Sequence, residues 1–310
     1  MFRALKLRSL LVGGVLGGVL AAAAAPPAEA QRPAPYQPGL LRVCNDPDNM
    51  PFSNQKEEGF ENKIAQLIAK DWGARLQYVW YPTRRGYFRI LNGMYCDLII
   101  QAPGGLDMAG TTTPYYRSGY VFLTRQDGKL ADVKSLADPR LKQARIGVTL
   151  LPSDEQLPPT VALSHYGVVG NLRGFHGWYN DDDRPEDIVN AVAKDDVDIA
   201  IVWGPLAGYF AKQSKVPLKL TPLGESDSLA GVPFRYNIGM AVRRRDRELR
   251  DSLEKTLKAK GPEIQAILKE YGIPMFPVTE AGGDDDDDDG PRKPAATPTS
   301  TDTSRAARQG

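Results

Sequence analysis

Short apolar runs that alternate with amphipathic segments predict an α/β fold built on a largely parallel sheet. One observation is the run Leu40-Leu41-Arg42-Val43-Cys44, which stops at Asn45-Asp46-Pro47. Such a run reads as a buried strand that delivers polar groups at its C-terminal end, where open α/β sheets receive ligands. A second is the segment from Gly59 to Asp71, which places Phe60, Ile64, Leu67 and Ile68 on one helical face before Gly73 stops the helix. The third is the repetition of this strand–helix order along the chain.

Each further element follows from the same periodicities. A strand is predicted over 75–81, a helix over 86–93 and a strand over 97–101. Tyr120-Val121-Phe122-Leu123-Thr124 is an apolar strand leading into a polar segment at Arg125–Lys129. A second alternation gives a strand over 145–148, a helix from Pro185 to Lys194 and a strand from Asp198 to Trp203. After a loop over 221–235, Tyr236–Val242 reads as one more strand, and two helices run on to about Tyr271. No internal repeat is visible.

The two ends differ in kind from the middle. Arg3, Lys6 and Arg8 precede an Ala/Gly/Leu/Val run over 10–25, and Ala28-Glu29-Ala30 offers a small-residue cleavage site. Residues 1–30 therefore read as a cleaved secretory signal peptide, not as a membrane span. No twin-arginine pair precedes the run and no lipobox cysteine follows it, so the expected product is a soluble, Sec-exported periplasmic protein. Beyond that leader the net charge is about −1, which leaves no electrostatic footprint for nucleic acid. From residue 279 onward, the Gly pair, six consecutive aspartates (Asp284–Asp289) and the Pro/Ala/Thr/Ser remainder cannot bury enough apolar surface to fold. The aspartate run does not preorganise a cation cage, so 279–310 reads as a solvated, disordered acidic tail.

The order of the pieces from 39 to 275 resembles the type II periplasmic solute-binding proteins. That resemblance implies two lobes with two hinge crossings: 39–119 with 236–278 as lobe one, and 120–235 as lobe two with the hinge strands. In the amino-acid-binding branch, an Arg after the third strand of lobe one takes the substrate carboxylate, and an acid after the last strand of lobe two takes the ammonium. Here the first loop reads Gln101-Ala102-Pro103-Gly104-Gly105 and the second Trp203-Gly204-Pro205, with neither group. Burying a zwitterion without those partners would cost several kcal/mol. A free amino acid is thus not the expected ligand.

Several segments are similar to a narrower group: Arg42-Val43-Cys44-Asn45-Asp46-Pro47, Pro51-Phe52-Ser53-Asn54, Gly59-Phe60-Glu61-Asn62, Arg84-Arg85-Gly86, Cys96-Asp97-Leu98, and Thr111-Thr112-Thr113-Pro114-Tyr115-Tyr116-Arg117-Ser118. Together and in this order they resemble the J components of bacterial methanol oxidation systems. The resemblance implies an accessory role beside a periplasmic quinoprotein (PQQ) alcohol dehydrogenase, with its cytochrome c as a second candidate partner. It implies no catalysis and no cofactor in this chain. A transport receptor for a small anionic or neutral solute is the alternative. A dehydratase-type enzyme with Asp46 as its acid is a distant third.

The candidate ligand- or partner-binding residues are Asn45, Asp46, Phe52, Arg84, Arg85, Gln101, Gly104 and Trp203. Arg84 and Arg85 stand before the helix opened by Gly86, where guanidinium groups and a helix N-terminus favour anions; surface charge is the competing reading. Trp203 closes the last lobe-two strand and is the best cleft aromatic. His165 and His176 have no Cys or His near enough for a zinc set, and Asp181-Asp182-Asp183 lacks the Gly and Glu of a calcium loop. No catalytic or metal residue is assigned.

Two cysteines in an oxidising compartment suggest one disulfide. If Cys44 ends the first strand and Cys96 begins its parallel neighbour, however, they are offset by about four residues, roughly 13 Å. A bridge tolerates about 7 Å between Cα atoms. The register therefore leans towards two buried free thiols.

Overall fold

The structure, a computed structural model, describes residues 34–83, 86–150, 157–177, 184–229 and 232–279. The signal-peptide and tail segments, the Asp181–Asp183 turn, and Arg84 and Arg85 lie outside them.

In chain order the strands are β1 (Leu40–Asn45), β2 (Asp48–Asn49), β3 (Ser53–Asn54), β4 (Arg75–Trp80), β5 (Leu98–Pro103), β6 (Gly110–Thr111), β7 (Tyr116–Arg125), β8 (Ile146–Leu150), β9 (Leu172–His176), β10 (Ile199–Trp203), β11 (Leu218–Pro222) and β12 (Arg235–Val242). The helices are α1 (Phe60–Trp72), α2 (Tyr87–Asn92), α3 (Pro158–His165), α4 (Asp187–Ala193), α5 (Gly204–Gln213) and α6 (Arg247–Glu270). One sheet runs in the order β4-β1-β5-β12-β7-β10-β8-β9, with β6 on β12 and β11 on β7. β1 is parallel to β4 and β5, and β8 is parallel to β9 and β10.

The long strand β7 joins the two halves of this sheet. Its residues Tyr116–Gly119 pair with β12, whereas Tyr120–Leu123 pair with β10 and Val121–Arg125 with β11. The chain passes between the halves at Gly119–Tyr120 and returns at Phe234–Arg235, where the Tyr120 N–H donates to the Phe234 carbonyl at 3.0 Å. Each half is covered on both faces. Leu41, Val43, Leu98 and Ile100 pack with α1 and α6, while Cys44, Val79, Ile99 and Leu91 pack on the α2 face. In the other half Ile199 and Ile201 join the α3 side, and Ala200 and Val202 the α4–α5 side. This is the period-2 alternation of strands buried on both faces.

α1 shows how the sequence sets an element. Its N-cap must be glycine, because a Cβ on Gly59 would fall 2.1 Å from the Phe52 carbonyl oxygen. Asn62 turns back to accept from the Gly59 N–H at 3.1 Å, and Gly73 ends the helix in the left-handed region (φ 60°).

Four expectations change. Cys44 and Cys96 form a disulfide, with Cα atoms 5.5 Å apart. β5 begins only at Leu98, so Cys96 is not a strand residue. It leaves the turn after α2 and lies over the sheet face to which Cys44 points. The two expected C-terminal helices are the single α6, which carries Pro262 inside it. Leu249, Leu253, Leu257, Ile264 and Leu268 stay in helical phase across Pro262 and bury in one core, while Pro262 is exposed. That continuous burial offsets the proline cost of about 3 kcal/mol. The expected loop at Trp203-Gly204-Pro205 is the start of α5, with Pro205 in its first turn. β7 is also twice the length expected, because it begins at Tyr116, pairing with β12 before the crossing at Gly119–Tyr120.

Candidate functional site

The C-terminal ends of β1, β4 and β5 meet the N-terminus of α1. Asp46 follows β1, and its carboxylate is committed: Oδ2 accepts from the Thr83 N–H at 2.6 Å and the Thr83 hydroxyl at 2.8 Å, and Oδ1 from the Asp48 N–H at 3.0 Å. Asp46 therefore tethers the turn that leads into Arg84 and Arg85. Both oxygens of this carboxylate are thus engaged within the chain segment that it holds, which gives Asp46 a positioning role. Ser53 braces the same loop, its hydroxyl bonded to both the N–H and the carbonyl of Asp46.

Asn45 is wholly buried, and neither its Oδ1 nor its Nδ2 has a hydrogen-bond partner among the described residues. By strand alternation it lies on the face of Leu41 and Val43, towards α1. Phe52 is half-buried and packs on Phe60, ring centroids 5.4 Å apart. Gln101 lies inside β5, two residues before its end, and accepts from the Tyr116 hydroxyl at 2.6 Å. Gly104 lies further out, exposed, with its N–H on the Asn237 carbonyl and open space where a Cβ would be.

Glu61, at the second position of α1, is the group that the sequence reading passed over. It is 5 % exposed. Burial first, and the Asp46 charge second, push its carboxyl up to about 8. Around it, Tyr87, Tyr115 and Tyr116 are held well above the usual phenol value, by burial first and also by the Glu61 charge. The Tyr87 hydroxyl is buried beside Thr83 and Ser53, whose hydrogen-bonding groups pull its pKa down against the burial, but it makes no hydrogen bond of full geometry among the described residues. This end of the sheet thus holds a neutral carboxylic acid, a carboxamide and phenols in a low-dielectric setting. A helical wheel carries the missing signal: Glu61 shares the face of Ile64, Ala65 and Ile68, all of which are buried.

Because the folded chain keeps the Glu61 proton that the unfolded chain releases near pH 4.5, folding loses stability as pH rises from about 4.5 to 8. Glu61→Gln removes that dependence. It should stabilise the protein by about 3 kcal/mol near pH 7 and by almost nothing at pH 4.5. Urea unfolding at both values checks this; equal effects at the two would contradict the assignment.

Trp203 stands apart from these residues, where the halves of the sheet meet. Its ring contacts Tyr120 at 5.3 Å and Tyr236 at 5.9 Å, one from each crossing strand, and it packs against a core of each half. Beside the crossing, and also missed from sequence, the Glu225 Oε1 lies 3.9 Å from Arg117 and 3.4 Å from Arg235, whose guanidinium stacks on Phe276. The structure thus gathers Asn45, Asp46, Phe52 and Gln101 at one end of the first half, and seats Trp203 at the junction. Among the described residues, no group of three or more His, Cys, Asp or Glu could hold a metal ion. No described helix is long and apolar enough to cross a membrane.

No family model matches the chain. Comparison with individual proteins is decisive instead. Protein MoxJ of Methylorubrum extorquens is 33 % identical over 269 residues, 81 % of this chain and 86 % of the relative. The chain belongs to the MoxJ family. A second MoxJ, from Paracoccus denitrificans, is 32 % identical over 76 % of this chain and 89 % of its own length. Among solved structures, the periplasmic binding protein XoxJ from Methylobacterium extorquens AM1 is similar over 77 % of this chain and all of its own, with 36 % identity and a TM-score of 0.64. MxaJ from Methlophaga aminisulfidivorans MPT matches over 76 % of this chain and all of its own, at 31 % identity and 0.67. An ancestral cationic amino acid solute-binding protein matches over 76 % of this chain and 96 % of its own, at 18 % identity and 0.59, a likeness of fold alone. The MoxJ family and the architecture together give a type II binding-protein fold.

Proposed function

We propose that this chain is a periplasmic, solute-binding-protein-like accessory component of bacterial methanol oxidation. In this reading it assists a PQQ-dependent alcohol dehydrogenase, and the quinone belongs to the partner. Its relatives named MoxJ, XoxJ and MxaJ support the setting. One observation carries the departure from amino-acid transport: at the position where an ammonium-binding acid would follow β10, Gly204 is packed without room. A Cβ there would fall 2.6 Å from the Gly119 carbonyl oxygen and 3.0 Å from the Ser118 hydroxyl. With no Arg over residues 101–105 at the end of β5 either, both charge anchors of a zwitterion are missing.

Residues 39–119 with 236–278 then form one lobe and 120–235 the other. Asn45, Phe52, Gln101, Gly104 and Trp203 contribute to the face between them, and Arg84 and Arg85 follow in sequence the Thr83 that Asp46 holds. Arg and aromatic side chains are the usual anchors of protein interfaces. This face suits a segment of a folded partner better than a free metabolite.

The mature chain should show no thermal shift with any of the twenty amino acids at millimolar concentration. A ligand present at a hundred times its Kd would add about 2.7 kcal/mol. Clear stabilisation by glutamate, lysine or arginine would return the chain to transport. Replacing Arg84 and Arg85 together with Ala should weaken retention of the purified dehydrogenase by about 2 kcal/mol without unfolding the chain.

A further inference from the structure

A second surface, at the opposite ends of the first-half strands, is used by none of the above. β12 runs into Arg243-Arg244-Arg245-Asp246-Arg247, and beside it lies a groove of about 490 Å³. Pro35, Asn92, Met94, Asp107 and Met108 line it together with Arg243–Asp246. Its walls are unusual for a surface: Met108 is 52 % exposed, Met94 39 %, and the adjoining Tyr95 39 %. Arg243 is buried and spent on Asp97 and Asp246. Arg244, Arg245 and Arg247 are exposed, and none has a carboxylate within ion-pair distance among the described residues. Among the described residues, the one side-chain bond of this trio goes to a backbone carbonyl, that of Asp107 at 2.9 Å.

We propose that this basic, methionine-walled groove is the docking surface for the chain's own acidic tail, Asp284–Asp289. Those residues lie outside the described ones, but the place from which the tail departs is fixed: the Asn237 Nδ2 donates to the Thr279 carbonyl at 2.7 Å. From Asn237, β12 and its continuation reach Arg244 in seven residues, about 23 Å at strand rise. An extended chain from Thr279 reaches Asp284 within about 17 Å and Asp289 within about 34 Å. The six carboxylates therefore span the distance, and tethering holds them near the arginines at roughly millimolar effective concentration. Charge complementarity decides for the tail: six successive negative charges face three arginines that have no acid of their own. Attraction of this kind needs no folding of the tail and is screened by salt. While it lasts it covers Met94 and Met108, so an acidic partner would have to displace it.

The test is ¹³C-methyl methionine NMR on the mature chain and on a chain ending at Thr279. At about 10 mM salt the Met94 and Met108 methyl signals should differ between the two, while the buried Met240 signal is unchanged. The difference should vanish at about 0.5 M salt, where the Debye length is only a few ångströms. It should also vanish when Asp284–Asp289 are all replaced by Asn, or in Arg244→Gln with Arg245→Gln, which change only exposed side chains. Superimposable low-salt spectra would overturn the proposal, as would a difference that survives the Asn replacement. A difference that fades on dilution would assign the groove to a second copy's tail, and methyl shifts seen only on adding the dehydrogenase would assign it to that partner. Both would refute the intrachain contact.

Discussion

Replacing Asp97 with Ala should cost about 4 kcal/mol of folding free energy, the expected loss when one member of a buried ion cluster is removed. Asp97 is fully buried and serves two guanidinium groups at once. Arg42 donates to Oδ2 through Nε at 2.8 Å and to Oδ1 through Nη2 at 2.6 Å, and Arg243 donates to Oδ1 at 2.8 Å. The same arginines hold the neighbouring backbone, Arg42 on the carbonyls of Ala34 and Met94, and Arg243 on those of Leu91 and Cys96. Without the carboxylate, the nearly dry Arg42 loses its acid and sits beside Arg243, which keeps only Asp246. Asp97→Asn keeps one acceptor and should lose less. Urea unfolding measures both; a loss below about 1 kcal/mol for Ala would show that the cluster relaxes into water.

Breaking the adjacent disulfide should be comparably costly. Cys44 and Cys96 are 52 residues apart in sequence, and the cross-link removes loop-closure entropy from the unfolded chain. For a loop of that length the chain-entropy model gives about 4 kcal/mol. The bridge fastens β1 to the turn after α2, the turn that also carries Asp97. Cys44→Ala with Cys96→Ala should therefore lower the urea midpoint strongly and steepen the slope, because the uncrosslinked denatured chain is less compact. Equal midpoints would mean that the bridge adds nothing that the Asp97 cluster does not already supply.

The bridge also shows where sequence reasoning stops. Strand spacing places Cys96 in β5 and sets it too far from Cys44. The five-residue connection 93–97 between α2 and β5, invisible to periodicity, carries Cys96 over the sheet to Cys44. β1, α1, β4, α2 and β5 were legible because their apolar positions keep one period and end on clear signals such as Asn45-Asp46-Pro47 and Gly73. α3, β9, α5 and β11 were not. β9 is the edge strand Leu172-Arg173-Gly174-Phe175-His176, half-exposed and polar, and α5 opens on Gly-Pro, which reads as a turn. At the candidate site, the strand run that stops at Asn45-Asp46-Pro47 was legible, whereas β5 runs two residues past the expected end at Gln101. The roles of Asp46 and Glu61 were not legible, because they depend on partners 37 residues away and on which helix face meets the sheet.

The most direct test of the account is alcohol oxidation in a strain that lacks this chain. Periplasmic dehydrogenase activity should be lost or strongly reduced, uptake of small solutes should stay normal, and the full-length chain should restore activity where the Arg84→Ala, Arg85→Ala double variant does not. Normal methanol oxidation in the deletion strain, together with a lost uptake activity, would contradict the accessory role and identify a transport receptor.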